Sequence, residues 1–404
     1  MLKNKNDMKQ SIVYIGDFDF INHNVQSHLV YSNGQIFENL GYEVHYIGMK
    51  RRHYKFESFS DGNFYHLPDT LSIRGILFFY KVNDLIRKRL EEIDKTTKIA
   101  YVVVYQAPTF SPILYFIHSW CKNHEIKFIA NSADLPVFKH GSFFVSSIMY
   151  LNWSLMHSII RRKADGIIAV SSYIDNYFKK KNRPSIVIPP LFDGTTPESV
   201  KNLRNIREFV YAGSPFVVTG KKVTPQGMKD RLDFILTLFY ELNKRKENFF
   251  FKIIGITIEE YLVSVPEHRK LLETLNGKVK FLGLLSHEKV IEQITHSDFM
   301  INYRDVNKMT LAGYSTKVVE SVSLGTPVIV NDIGDTFRYL SNEMGFILTG
   351  NEVDDISILQ KACSLPKSRI DNMKVECLKN NPFVKENYIE KMSKFLKDVM
   401  EYGN

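Results

Sequence analysis

One stretch in the second half of the chain carries the residues whose types and spacing suggest chemistry. Residues 314–334 are YSTKVVESVSLGTPVIVNDIG. Ser315 or Thr316 is a good N-cap, Gly325 is a good helix stop, and the residues after it predict a strand. The first turn of such a helix presents free backbone N–H groups and a partial positive charge, which suits a diphosphate.

Two charged residues on this predicted helix extend the argument. Lys317 lies in the first turn, where a cation is locally unfavourable, so its position makes sense if an anion lies nearby. Glu320 is three residues further along the same face and can accept hydrogen bonds from two hydroxyls, such as those of a ribose. A capped surface helix with a solvated Lys–Glu pair is the alternative that these residues leave open.

Alternating strand and helix patterns organise the rest of the chain. Stretches such as 26–40 and 229–245 predict helices, and short apolar runs predict strands between them. These runs are 11–16, 43–48, 99–106, 127–132, 166–171 and 185–190 in the first half and 207–213, 249–255, 279–283, 299–303 and 327–332 in the second. The alternation favours an α/β fold with right-handed βαβ units and doubly wound sheets.

The same patterns predict the domain boundaries. We expect a Rossmann-like domain over 1–193, a linker over 194–206, a second Rossmann-like domain over 207–380, and a C-terminal helix within 381–404 that could pack back on the first domain. Two such domains in tandem would face each other across an interdomain cleft, between the carboxyl edges of their sheets, where α/β folds place ligands.

Composition narrows the classes of partner and compartment. The chain has 404 residues, a formal net charge of +9 and three cysteines without metal-ligand spacing. The modest basic excess fits solubility, and attraction to anionic lipid or an anionic substrate is the other interpretation. No basic-aromatic module indicates nucleic acid. The N-terminal residues lack the apolar run of a signal peptide, so we expect a reducing cytoplasm.

One uncharged stretch raises the question of a membrane. Residues 141–160 are GSFFVSSIMYLNWSLMHSII, followed by Arg161, Arg162 and Lys163. The length would permit a span, but the serines, the asparagine and the histidine make it too polar for one. Two interpretations stay open: an ordinary helix of the first domain, or a helix with an aromatic face resting on a membrane.

The motif STKVVESVSLGTPVIV resembles the donor-binding segment of retaining glycosyltransferases of family 4, which have the GT-B fold. Three other places are similar to that family: GIIAVSSYIDNYF followed by IVIPPLFD, FVYAGSP followed by Lys229-Asp230, and KFLGLLSHEKVIEQITHSDFMINY. In order and spacing the resemblance covers most of the chain.

The resemblance implies a set of site residues. Glu320 matches the carboxylate that holds the nucleotide ribose, and Lys229 matches the lysine that neutralises the donor diphosphate. The other implied donor-binding residues are Gly16 and Gly213 in loops after strands, Gly283 and Leu284 beside the base, and Ser315, Thr316 and Lys317 at the phosphate and sugar. Asp134 follows the strand after which many members place a catalytic histidine, and we expect it to be the catalytic or acceptor-side polar group. A loop-capping aspartate is the alternative, and His118 fits a core or surface position better.

Two departures from the family pattern stand out. Many members have a second glutamate eight residues before Glu320, where this chain has Ala312. This chain instead fits the Ser/Pro-Thr-Lys-x-x-Glu version of the motif. Many members also have an arginine soon after the position of Gly213, and the candidates to substitute for it here are Lys221, Lys222 and Arg231.

The function implied is that of a metal-independent, hexosyltransferase-type enzyme (EC 2.4). It would move a sugar from a UDP- or GDP-linked donor to a glycan or lipid-linked acceptor, in surface polysaccharide or glycoconjugate synthesis. No cofactor is expected, and the location would be cytoplasmic or the inner face of the membrane. A catalytically inactive GT-B partner protein and a GT-B nucleotide-sugar epimerase are the alternatives.

Overall fold

The computed structural model describes residues 9–20, 25–49, 59–67, 79–105, 111–135, 143–192, 194 and 206–403. The chain forms two compact units. Unit 1 consists of residues 1–193, 312–314 and 384–404, and unit 2 consists of residues 194–311 and 315–383. Most of the predicted linker, 195–205, lies outside the described residues.

Unit 1 contains one sheet of eight strands. In chain order they are β1 (Gln10–Gly16), β2 (Glu43–Met49), β3 (Phe59–Asp61), β4 (Phe64–Leu67), β5 (Lys98–Tyr105), β6 (Lys127–Ser132), β7 (Gly166–Ala169) and β8 (Ser185–Val187). Their spatial order is β3-β4-β2-β1-β5-β6-β7-β8, and among the described strands of this sheet only the β3–β4 pair is antiparallel. Strand β1 is buried on both faces of the sheet, since Val13 and Ile15 belong to one core cluster and Ile12 and Tyr14 to another.

Helices connect these strands and cover the sheet of unit 1. They are α1 (Val25–Asn39), α2 (Phe79–Thr96), α3 (Ser111–Asn123), α4 (Phe143–Lys163) and α5 (Ser172–Phe178). Helix α2 shows the reason for its placement in its pattern: Val82, Ile86, Leu90 and Ile93 recur every three or four residues and are buried.

Unit 2 contains a wholly parallel sheet of six strands. They are β9 (Arg207–Ala212), β10 (Phe249–Ile254), β11 (Val279–Gly283), β12 (Phe299–Asn302), β13 (Val328–Asn331) and β14 (Gly345–Leu348). The spatial order is β11-β10-β9-β12-β13-β14. Numbered within the unit, this is the order 3-2-1-4-5-6 of a Rossmann fold, in which the winding direction reverses between the first and fourth strands.

The helices of unit 2 follow the same alternation. They are α6 (Leu232–Lys244), α7 (Ile258–Ser264), α8 (Arg269–Thr274), α9 (His287–His296), α10 (Lys308–Ala312), α11 (Thr316–Ser323), α12 (Thr336–Tyr339), α13 (Glu352–Ser364) and α14 (Lys367–Lys379). The last residue of α10 is counted with unit 1. An aromatic cluster around Phe209, Phe239 and Phe251 lies at the centre of the core.

The final helix, α15 (Glu386–Glu401), belongs to unit 1 although it follows unit 2 in the chain. Its apolar stripe, including Met392, Phe395 and Val399, is buried. The Tyr101 hydroxyl on β5 donates to the carbonyl of Leu396 at 3.0 Å. Helix α15 therefore packs against the sheet of unit 1.

All eleven strands predicted from the sequence are present, with ends within about three residues of the prediction. The sequence pattern did not reveal the β3–β4 pair or β14. Both are short, and β3 carries a polar pair at an edge of the sheet, so neither has the long apolar run that marks the central strands.

Candidate functional site

Three glycines form one edge of the sheet in unit 2. Gly213, Gly255 and Gly283 lie at the carboxyl ends of β9, β10 and β11 and have φ angles of +141°, +106° and +63°. The Gly255 N–H donates to the Gly283 carbonyl at 2.8 Å, and a Cβ on Gly255 would lie 2.5 Å from the Gly213 carbonyl oxygen. A side chain is therefore excluded at Gly255, and the positive φ angles favour glycine at all three positions.

The switch point of this sheet lies between β9 and β12. Gly213 follows β9 directly, and Arg304 follows β12 two residues after its end. Open α/β sheets bind ligands outside the carboxyl ends of their strands at such a point. The topology of unit 2 therefore selects the place where its ligand site is expected.

Helix α11 brings a cation to this place. Ser315 is its N-cap residue, in an extended conformation, and Gly325 has a φ of +74° just after the helix, as the sequence predicted. Lys317 lies in the first turn and is buried. Its side chain lies across Gly213, because a Cβ there would overlap Cε of Lys317 and lie 2.7 Å from Nζ. The helix start is thus anchored against the glycine edge.

The anion that pairs with Lys317 is Asp230, which is fully buried just before α6. Its Oδ2 lies 2.9 Å from Nζ of Lys317 and accepts a hydrogen bond from the Tyr211 hydroxyl at 2.8 Å. Its Oδ1 accepts from Nε of Arg304 at 2.7 Å. Burial alone would raise the pKa of Asp230, but Lys317 and Arg304 outweigh burial and hold the pKa below its usual value. The carboxylate is therefore charged at neutral pH.

The backbone of Arg304 is fixed by an amide side chain. Oδ1 of Asn331 accepts from the Arg304 N–H at 3.0 Å, and Nδ2 of Asn331 donates to the Arg304 carbonyl at 2.8 Å. Asn331 ends β13, so this pair ties the end of β12 to its neighbour. The guanidinium is consequently held at the switch point by the sheet itself.

Two of the cations expected to substitute for the family arginine are paired elsewhere. The Arg231 guanidinium contacts Asp233 and Asp305, each at 2.9 Å. The hydrogen bonds with Asp233 raise the pKa of Arg231, with burial opposing and Asp305 adding to the effect. Nζ of Lys222 lies 3.3 Å from Glu267. Lys221 is exposed.

The two residues matched to the donor nucleotide, Lys229 and Glu320, are close in sequence to members of this cluster. Lys229 precedes Asp230, is exposed, and donates its backbone N–H to the Pro215 carbonyl at 2.7 Å. Its charge is one of the causes that lower the pKa of Lys317, after burial and Arg304. Glu320 is half-buried on α11, one turn beyond Lys317. Leu284, predicted to lie beside the base, is 88% exposed just beyond Gly283.

The candidates in unit 1 lie along the carboxyl edge of the other sheet. Gly16 ends β1, and a Cβ there would overlap the carbonyl oxygen of Tyr105. Asp134 is exposed two residues after β6, and β5 separates β1 from β6. His118 is half-buried in α3, with its ring 5.6 Å from that of Phe128, and burial lowers its pKa.

The sequence patterns did not identify three members of the unit 2 cluster: Asp230, Arg304 and Tyr211. The sequence singles out Asp230 only as the residue after Lys229. Its burial depends on partners from three separate elements, which a local pattern does not reveal. Arg304 carried a usable signal, since it directly follows a predicted strand at the edge where ligands bind.

Among the residues that the structure describes, potential metal ligands do not gather into a site. Asp17 and Asp19 form an Asp-x-Asp sequence after β1. Within the described ranges, however, no group of three or more His, Cys, Asp or Glu side chains could hold a metal ion.

Helix α4 exposes apolar side chains. Ile148, Leu151 and Leu155 recur three and four residues apart and are 53%, 61% and 50% exposed. The helix ends in the basic residues 161–163, which are exposed as well. None of the helices in the described part of the chain is both long and apolar enough to cross a bilayer.

Comparison with known proteins gives one family match. Residues 227–367 match the family model described as glycosyl transferases group 1. This segment contains Lys229, Arg304, Lys317 and Glu320. A search of curated proteins gives no significant match.

Solved structures similar to this one cover nearly the whole chain. A glycosyltransferase from Rickettsia africae has a TM-score of 0.63 at 13% identity, over 98% of this chain and 99% of the other. Sucrose-phosphate synthase from Thermosynechococcus elongatus has a TM-score of 0.62 at 12% identity, over 97% and 100%. Anabaena HepE in complex with UDP has a TM-score of 0.60 at 13% identity, over 96% and 99%. At these identities the similarity establishes the fold, and it confirms the predicted GT-B class with two Rossmann-like domains.

Proposed function

We propose that this protein is a glycosyltransferase that moves a sugar from a nucleotide diphosphate sugar to an acceptor hydroxyl. The observation that carries the proposal is the cation cluster at the switch point of unit 2. Lys317 and Arg304 share a single buried carboxylate there, beside the amino end of α11 and a bare glycine edge. The match of residues 227–367 to glycosyl transferases group 1 supports it.

The cluster suits a leaving diphosphate. Negative charge grows on the diphosphate as the bond to the sugar breaks, and fixed cations and N–H groups lower the barrier because they need not reorganise. These groups are supplied by Lys317, Arg304 and the first turn of α11. The exposed side chain of Lys229 would add a further positive charge. Because two cations contact the single carboxylate of Asp230, the cluster has a net positive charge that can bind an anion.

Glu320 would hold the nucleoside. It stands one turn further along α11 than Lys317, away from the phosphate-binding end of the helix. A carboxylate can accept two hydroxyl hydrogen bonds at once, which fits the vicinal hydroxyls of a ribose. Half-burial of Glu320 would strengthen such bonds by limiting competition from water.

The finer parts of the proposal follow from the family resemblance. They are transfer with retention of anomeric configuration, a hexosyl donor and no requirement for a metal. UDP is the first nucleotide to test, because HepE, which shares the fold, was solved with UDP; GDP is the second. On the acceptor side we propose Asp134 as the polar group of unit 1 that meets the acceptor, with Gly16 on the same sheet edge.

The acceptor is proposed to be a glycan or a lipid-linked glycan in surface polysaccharide or glycoconjugate synthesis, reached from the cytoplasmic face of a membrane. The exposed apolar row of α4 supports this. The row leads into the basic residues 161–163, and Nζ of Lys180 lies 3.5 Å from the Arg162 carbonyl, which places a second exposed basic run, 179–181, beside them. Apolar side chains next to clustered cations fit an anionic lipid surface.

The proposal is tested with purified protein and UDP-, GDP- and dTDP-sugars. A bound donor should raise the melting temperature, and the matching sugar should be transferred or slowly hydrolysed. Glu320→Gln and Lys229→Ala should each reduce turnover about 100-fold or more, because the first misplaces the donor and the second removes a charge-stabilising group. Glu288→Gln and Lys270→Ala, at exposed positions of unit 2, are the controls. Wild-type turnover in both site variants would reject these roles, and donor binding without turnover in the parent protein would favour the inactive-partner alternative.

A further inference from the structure

The carboxylate of Asp230 is buried more completely than the cations it binds. Asp230 has no exposed side-chain surface, whereas the side chains of Lys317 and Arg304 are 11% and 12% exposed. Asp230 therefore lies beneath the two cations, and the cations form the surface that a ligand would meet. A fully buried carboxylate is costly unless its partners are well placed, so this arrangement is geometrically specific.

The two cations come from different elements and would repel each other without Asp230. Lys317 belongs to α11, and Arg304 follows β12. Each contacts a different oxygen of the same carboxylate, at 2.9 Å and 2.7 Å. The Tyr211 hydroxyl binds Oδ2 as well, which fixes the carboxylate plane. Asp230 thus sets the spacing between an ammonium and a guanidinium.

The guanidinium of Arg304 has N–H groups that can still donate hydrogen bonds. Its Nε binds Asp230, and its main chain is clamped by Asn331. Among the described residues none accepts a hydrogen bond from its two Nη groups, although a guanidinium carries five N–H donors. Arg231, the neighbouring arginine, has its fork filled by Asp233 and Asp305. Arg304 is therefore the guanidinium of this cluster that can bind a further anion.

We propose that Asp230 is a positioning residue that holds Lys317 and Arg304 side by side, and that the Nη groups of Arg304 bind the diphosphate of the donor. The inference rests on the proposed function and gives Asp230 and Arg304 distinct roles within it. Arg304 would take the place of the family arginine that is missing after Gly213, reaching the same sheet edge from the next strand.

The direction in which Asp230→Asn changes the affinity for a nucleoside diphosphate distinguishes a positioning role from a purely electrostatic one. Asp230→Asn removes a negative charge near the ligand, so electrostatics alone predicts tighter binding of a nucleoside diphosphate. If Asp230 acts by positioning, the two cations separate and binding weakens instead. We expect the dissociation constant of UDP, or of GDP if that is the nucleotide bound, to rise about tenfold in Asp230→Asn.

Arg304→Gln is the second variant, and its amide group can still donate a hydrogen bond to the buried Asp230 carboxylate. We expect its dissociation constant for the diphosphate to rise tenfold or more, while that for the corresponding nucleoside stays within twofold. Arg304→Lys should recover part of the loss, because it restores charge without the fork. Asp233→Asn, which disturbs only the neighbouring Arg231 pair, is the control.

Titration calorimetry with UDP, GDP and their nucleosides gives these constants, and thermal melting shows that each variant is folded. Equal or tighter diphosphate binding by Arg304→Gln, or tighter binding by Asp230→Asn, overturns this inference while leaving the proposed function standing. Failure of the parent protein to bind either diphosphate overturns both. Diphosphate binding that depends on Arg304, in a protein without transferase turnover, would sustain this inference and reject the proposed function.

Discussion

Replacing Gly213 with alanine tests whether Lys317 is held against the glycine edge. The new Cβ would overlap Cε of Lys317 and lie 2.7 Å from Nζ. It would also place an L-residue at a φ of +141°, which favours glycine. The variant should therefore be destabilised and should displace Lys317 from Asp230.

The expected cost has two parts. The backbone conformation costs about 1–3 kcal/mol, and overpacking against a buried side chain costs about 1–3 kcal/mol more. Gly220→Ala is a matched control, because Gly220 has a φ of +71° and a Cβ added there would meet no atom within 4 Å, and it should lose only about 1–2 kcal/mol. An excess of about 2 kcal/mol over the control lowers the melting temperature of a unit this size by about 4–8 °C.

Scanning calorimetry is suited to the measurement, since a chain of two units can unfold in more than one transition. Repeating Gly213→Ala in a Lys317→Ala background isolates the clash, because the overlapping side chain is then gone and only the backbone part should remain. Equal melting temperatures for Gly213→Ala and Gly220→Ala, or no coupling with Lys317, would refute the packing described here.

Three further outcomes are expected. Burial, with Arg161 adding to it, lowers the pKa of His157 to about 4. The free energy of unfolding should therefore fall by about 2–3 kcal/mol as the pH drops from 6.5 towards 4, because the unfolded chain takes up the proton first. In urea unfolding, His157→Phe should flatten this dependence on pH, and an unchanged slope would contradict the prediction. The double variant Leu151→Ser/Leu155→Ser should bind vesicles containing phosphatidylglycerol at least tenfold more weakly in sedimentation, while Val263→Ser, which is exposed in unit 2, should not; equal binding would remove α4 from the interface. Asp355→Ala should cost about 2–3 kcal/mol by urea unfolding, because the buried carboxylate accepts two backbone N–H bonds and a hydroxyl bond; a loss under about 0.5 kcal/mol would show that water replaces it.

The sequence was sufficient for most of the fold because most strands are short, largely apolar runs, and several of them end at or just before a glycine, such as Gly16, Gly213 and Gly283. Such runs leave few alternatives in a doubly wound protein. The β3–β4 pair and β14 were not predicted, because strand pairing at the edge of a sheet depends on neighbouring strands rather than on a local apolar pattern.

The candidate site was predictable where local signals existed. Ser315 and Gly325 mark the ends of α11 by their residue types, and Lys317 in a first turn indicated an anion nearby. That anion within the protein is Asp230, whose partners Tyr211 and Arg304 are far away in sequence. Long-range ion pairs of this kind follow from strand order, which residue spacing alone does not encode.

In the mechanism proposed above, the amino end of α11 binds a pyrophosphate while Glu320 holds the ribose. A crystal structure of the protein with UDP, or with GDP if that is the nucleotide bound, would show whether both contacts exist. We predict phosphate oxygens within hydrogen-bond distance of the first-turn N–H groups, Lys317 and Arg304, and both ribose hydroxyls on the Glu320 carboxylate. A nucleotide bound elsewhere, or one whose ribose does not contact Glu320, would contradict the account.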